Sequence, residues 1–223
     1  MANAVAETVC DNDPLQPPAA AETIFGGQLD KACAYHRLLA TDGHTRGFIG
    51  PREIPRLWSR HLLNCAVTQE LFADGTRLVD IGSGAGLPGI ALAIARPDVS
   101  VTLVESLLKR SVFLNEAVAA LELDNVTVIR GRAEDPAVVA AAGGADYATS
   151  RAVAPLGKLA VWSLPLVKKG GHLVALKGES VQEEITRDRS QITAAGGGRP
   201  TVATVGVGMV DEPATVVDIE RVR

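Results

Sequence analysis

The sequence predicts an α/β protein built on a doubly wound, mostly parallel, Rossmann-like sheet, with an N-terminal helical cap and an antiparallel C-terminal hairpin. Three observations lead there. From residue 77 onward short apolar strand-like runs alternate with helical repeats, the order that right-handed crossovers turn into a parallel sheet. RLVDI (77–81) runs straight into a glycine-rich turn and then into apolar GIALAIA (89–95), a strand, turn and helix in succession. Near the end, TVATVGVGMV and ATVVDIERV are separated only by DEP, which reads as a hairpin adding an antiparallel edge.

The elements follow in order. Residues 1–22 have no basic start and no apolar central run, and read as a disordered tail. The cap is assigned to 23–73: apolar residues at Leu29, Ala32, Cys33 and His36 have helical spacing, with Gly43 as a stop. Trp58, Leu62, Cys65 and Leu71 describe a second helix from Glu53 to Phe72. Residues 74–223 are assigned to one α/β domain. There the pairs are RLVDI with GIALAIA, VTLVE with LKRSVFLNEAVAAL, VTVIR with EDPAVVAAA, DYATS with LGKLAVWSLPLV, and HLVALK with VQEEITRDRSQITAA.

Composition narrows the class. The chain has 223 residues, 47% of them hydrophobic, enough for a substantial core. Three cysteines, Cys10, Cys33 and Cys65, have neither disulfide nor metal spacing, which suits a reducing, cytoplasmic setting. No apolar run reaches the roughly 20 residues of a membrane span. A net charge of −4 argues against coating nucleic acid with the overall field, so any such contact is a local patch.

The turn carries the chemistry. GAGLPG (84–89) matches G-x-G-x-x-G, so a nicotinamide-dependent oxidoreductase is one reading. Asp80, however, stands just before Gly82, Gly84 and Gly86, and a carboxylate there repels a pyrophosphate but suits a cation. S-adenosylmethionine is such a cation, with a sulfonium and an ammonium group and no phosphate. Glu105 ends the second strand 25 residues after Asp80, where it can accept both ribose hydroxyls; Glu134 follows the third strand and is expected beside the adenine.

VDIGSGAGLPGIALAI, VESLLKRSVFLNEA, GRAED, SRAVAPL and ALKG, in that order across residues 78–178, resemble the glucose-inhibited division protein B family, also called ribosomal RNA small subunit methyltransferase G. The resemblance implies a class I methyltransferase that moves a methyl group from S-adenosylmethionine to guanine N7 in helix 18 of 16S rRNA, acting on that RNA or the small ribosomal subunit. It places donor-binding roles on Gly82, Leu87, Ala133, Glu134 and Arg151. In RLWSRHLLN the family pattern of Arg or Lys, His, two apolar residues, Asp and Ser departs at its end, with Asn64 and Cys65 in the last two places.

Residues 44–63 hold Arg46, Arg52, Arg56, Arg60, His44 and His61 against one acid, Glu53, and form the best local RNA footprint; Arg56, Arg60 and His61 are its chief candidates. Lys109, Arg110, Lys168, Lys169, Arg187 and Arg189 extend it. Arg151 and Lys177 are the candidate catalytic residues, Arg151 toward donor or phosphate and Lys177 toward phosphate or guanine O6. Histidines and cysteines show no zinc spacing, and no metal is expected. A noncatalytic RNA-binding module is the remaining reading, prompted by the diverged cap.

Overall fold

A computed structural model describes residues 16–223. Most of the expected tail, with Cys10, lies outside the described residues; helix α1 (Ala19–Phe25) begins inside the stretch assigned to it. The seven strands are β1 (Arg77–Ile81), β2 (Ser100–Glu105), β3 (Val126–Arg130), β4 (Ala145–Arg151), β5 (Val167–Lys177), β6 (Thr201–Val205) and β7 (Ala214–Glu220). They form one sheet in the order β3-β2-β1-β4-β5-β7-β6. Strands β1 to β5 are parallel, whereas β7 is antiparallel to both β5 and β6. The hairpin therefore inserts its second strand beside β5 and leaves β6 at the edge. Its first strand is shorter than expected: it stops at Val205, and Gly206 and Gly208, both at positive φ, turn the chain away.

Alternation along the strands explains the double winding. Leu78, Leu103, Val174 and Val216 belong to one core, and their chain neighbours Val79, Val104, Leu173 and Val217 to the other. Side chains two apart share a face, so β1, β2, β5 and β7 are apolar on both sides and need cover above and below. Helices α4 (Gly89–Ala95) and α5 (Leu108–Ala120) cover the first face. Helices α6 (Pro136–Ala142), α7 (Leu156–Ser163) and α8 (Val181–Ala194) cover the second.

The cap is part of the first core. Phe25, Tyr35, Leu39, Leu57, Trp58, Leu62 and Cys65 are buried in the same cluster as Ile90, Leu92 and Phe113. Helix α2 (Leu29–Leu38) continues through a wide π-helical turn, Leu39–Gly43. The expected single helix from Glu53 to Phe72 is instead a sequence of short pieces: a 3₁₀ turn Ile54–Arg56, π-helical Leu57–Leu63, α3 (Asn64–Ala66) and a 3₁₀ turn Val67–Leu71. Pro55 contributes no N–H at the start, and the wide turn buries Leu57, Trp58, Leu62 and Leu63 together. Packing against α1, α2 and α4 has overridden the regular 3.6-residue period.

Candidate active site

Strand order reverses between β1 and β4, and at such a switch point the loops leaving the carboxyl ends part to open a crevice. The cleft found there has a volume of about 1420 Å³. Its floor is the glycine turn, where Gly82 and Gly84 adopt left-handed φ of +67° and +60°. Gly86 and Gly89 serve the packing beneath. A Cβ on Gly86 would come 2.8 Å from the Tyr35 hydroxyl, and one on Gly89 would stand 2.6 Å from an Asp80 carboxylate oxygen. Tyr35, fully buried on the cap helix α2, donates to the Ala85 carbonyl at 2.9 Å and so ties the cap to the turn.

Two strand-end acids take different roles. Glu105 lines the cleft, accepting from Gly84 N–H at 3.0 Å on one oxygen and from Leu107 N–H at 2.8 Å on the other. Each carboxylate oxygen keeps a lone pair, so the group can still accept two hydroxyls. Asp80 was expected to face the ligand and does not. It lies below the floor with no exposed surface, its Oδ2 accepting from Gly89 N–H at 3.1 Å and its Oδ1 without a partner. Burial lifts its pKa to about 7, against the opposing pull of its hydrogen bonds and of Arg151.

Leu87 and Arg151 line the cleft. Ala133 and Glu134 are not among its lining: Ala133 is buried in the second core, and the exposed Glu134 lies 3.9 Å from Arg132.

Beyond β4 the Arg151 guanidinium crosses to the cap. It donates through Nη1 to the Arg60 carbonyl at 3.2 Å and its Nη2 lies 2.9 Å from His61 Nδ1. His61 Nε2 is 2.7 Å from Glu53 Oε2. Its hydrogen bond with His61 lowers the Glu53 pKa, and burial, with Arg151 second, lowers that of His61. The ring is thus committed on both nitrogens rather than displayed to RNA. Arg60 itself reaches the cleft with its side chain 51% exposed.

Several other basic candidates are already engaged. Lys177, 10% exposed, donates to the Ala154 carbonyl at 2.9 Å and to Glu184 at 2.8 Å, while Glu184 also accepts from Leu156 N–H. It braces the 151–155 loop, in which Ala152 has φ of +56°, instead of presenting its charge to phosphate. Arg56 lies 3.4 Å from Glu212, and Arg46 lies 2.6 Å from Glu116. Lys168 and Lys169 fall near the amino end of β5, across the sheet from the cleft. Asn64 donates to the Glu212 carbonyl at 3.0 Å, a bond that the family's Asp could not donate when ionised. The role of Tyr35, Glu184 and Glu212 was invisible in the sequence; Glu53, the lone acid in a basic stretch, was the one available signal.

The donor set fits S-adenosylmethionine. A strand-end carboxylate with lone pairs to spare can take ribose hydroxyls, and bare glycine backbone allows close approach without any phosphate-binding lysine. This fold and site define a class I methyltransferase that uses S-adenosylmethionine. Precorrin-6y C5,15-methyltransferase of Geobacter metallireducens shares the fold at 14% identity and a TM-score of 0.52, over 71% of this chain and 87% of that one. Aeropyrum pernix fibrillarin, solved with S-adenosyl-L-methionine bound, does so at 18% identity and a TM-score of 0.53, over 72% and 74%. Residues 28–208 match the GidB family, described as rRNA small subunit methyltransferase G, and the chain belongs to that family. It is 64% identical to the ribosomal RNA small subunit methyltransferase G of Corynebacterium diphtheriae over 91% of each chain, and 59% identical to that of Rhodococcus jostii over 92% of this chain and 89% of that one. Neither the oxidoreductase nor the noncatalytic reading finds support among these relatives.

Proposed function

We propose that the protein transfers a methyl group from S-adenosylmethionine to N7 of a guanine in 16S rRNA, in helix 18 by family resemblance, presented on that RNA or the small ribosomal subunit in the cytoplasm. Gly82, Gly84, Leu87, Glu105 and Arg151 would hold the donor, which when bound supplies an electrophilic methyl group on a sulfonium. Guanine N7 carries an in-plane lone pair and no proton, so its attack needs no general base. That agrees with the chain's own residues: the His61 ring is committed, and the fully buried Cys65 thiol is pushed up to about 11 by burial, which leaves neither free as base or nucleophile. Alignment then supplies most of the rate, and well-oriented reactants reach effective molarities of roughly 10⁵–10⁸ M.

The observation that carries the reading is the size and lining of the cleft. About 1420 Å³ exceeds the ~300–1,000 Å³ of ordinary small-molecule pockets, leaving room for a base beside the donor. Arg60 and Arg110 line it as half-exposed cations and can meet phosphate, whereas Arg187, also on its wall, is bonded to Asp188 at 2.7 and 2.8 Å. No helix of the described residues is long and apolar enough to cross a membrane, and no group of three or more metal-ligating side chains occurs among them. The test is labelled methyl transfer into rRNA lacking the modification, followed by nucleoside mass spectrometry. The expected product is 7-methylguanosine; absence of label in every ribosomal assembly state would refute the proposal.

A further inference from the structure

We propose that His61 is a positioning residue, held by Glu53 and acting through Arg151 to keep that guanidinium aimed into the donor end of the cleft. The inference rests on the reading of the cleft as a donor site. Its argument is one of donors and acceptors. Arginine has five N–H donors, no acceptor and no accessible neutral form, so the 2.9 Å contact between Arg151 Nη2 and His61 Nδ1 exists as a hydrogen bond only when Nδ1 is bare. The proton of the neutral ring then sits on Nε2, which is where Glu53 accepts it at 2.7 Å. One carboxylate thus selects the tautomer that one guanidinium requires.

The second anchor is backbone. Arg151 Nη1 donates to the Arg60 carbonyl, so two fixed acceptors on neighbouring cap residues define the plane of the group. Without them a long side chain beside a left-handed Ala152 would be free to leave the cleft. His61 is only 13% exposed, and both its nitrogens are used. The relay also explains why one acid persists among the basic residues 44–63.

Protonation of His61 would place a hydrogen on Nδ1 and a second cation against Arg151. The charged groups facing the ring are Glu53 and Arg60 from the cap and Arg151 from β4. Burial and Arg151 hold the ring neutral to lower pH than the ordinary 6.5, so the relay weakens only on the acid side.

The experiment measures S-adenosylmethionine affinity by calorimetry on the full chain for the wild type, His61→Ala, His61→Asn and Glu53→Ala, with kcat and KM for the donor on rRNA. Loss of one charge-assisted bond predicts about a tenfold rise in Kd for His61→Ala, read in KM more than in kcat. His61→Asn carries an amide oxygen in place of Nδ1 and is expected within about threefold of the wild type. Glu53→Ala falls between, because the tautomer is no longer selected. Donor affinity of the wild type declines toward pH 5 relative to His61→Asn. Wild-type affinity in His61→Ala, or an Asn variant as weak as Ala at equal thermal stability, overturns the proposal. If His61→Ala fails to fold, the pH comparison decides, and superimposable profiles for wild type and His61→Asn overturn it. A wild type that binds no donor at any pH instead defeats the reading of the cleft beneath it.

Discussion

Replacing Asp80 by Asn tests whether the buried carboxylate opposes folding. The side chain has no exposed surface, one oxygen has no partner, and its pKa stands at about 7 instead of 3.8. Between about pH 4 and pH 7 the folded protein therefore keeps a proton that the unfolded chain releases. Stability falls as pH rises through that window and is fully reduced above it. A pKa difference of about 3, at about 1.4 kcal/mol for each, amounts to about 4 kcal/mol. His36 runs the other way. Burial lowers its pKa from 6.5 to about 4, so the unfolded chain takes up the proton first and stability rises with pH across much of the same range. The wild-type curve alone is flattened by this opposition, whereas the difference between wild type and Asp80→Asn cancels the histidine. Urea unfolding of both proteins at pH 4.5 and pH 8, followed by circular dichroism, is expected to show the variant gaining about 3–4 kcal/mol on the wild type between the two pH values. A pH-independent difference would refute the reasoning, because it would mean that Asp80 ionises in the folded state as easily as in water. The same variant is expected to bind S-adenosylmethionine more weakly at pH 8, where the lost charge lies just beneath a cationic ligand.

Gly84→Val forces a branched side chain into φ of +60°, a strain of about 1–2 kcal/mol, and directs it into open cleft; donor affinity by calorimetry should fall at least tenfold, and unchanged binding would misplace the pocket. Lys177→Met leaves Glu184 charged and unpaired in a mostly buried position, so thermal unfolding should register a loss of about 3 kcal/mol while the salt dependence of RNA binding stays as it was. A normal melting temperature with a shallower salt slope would return Lys177 to the RNA surface. Arg60→Ala keeps the carbonyl that Arg151 uses but removes an exposed cation, and the slope of log affinity against log salt should shrink by about 1 with donor affinity unaltered.

The glycine turn and the basic cap helix are one unit in this protein. Tyr35 holds the Ala85 carbonyl from beneath the turn, Arg151 reaches the cap from the cleft wall, and Asn64 and Ser59 receive the hairpin loop through Glu212. Divergence at Asn64 is consequently matched to its surroundings. An amide can donate to the Glu212 carbonyl, where an ionised Asp would oppose it.

What the sequence by itself determined is local. GIALAIA is helix α4 residue for residue, RLVDI is β1, and LKRSVFLNEAVAAL overruns α5 by one residue, because strand and helix periods are written in neighbouring positions. The acid at the end of β2 and the bare turn after β1 were legible for the same reason. Only the tertiary structure decided which charges meet. Arg151 and His61 are 90 residues apart, Asn64 and Glu212 are 148 apart, and no spacing rule connects them. It also withdrew Ala133 and Asp80 from the cleft surface, tied the Lys177 ammonium to Glu184 and broke the 53–72 helix into short pieces. Each of these outcomes depends on which atoms are left without water once the layers close, and that is a property of the packed molecule, not of any segment of its chain.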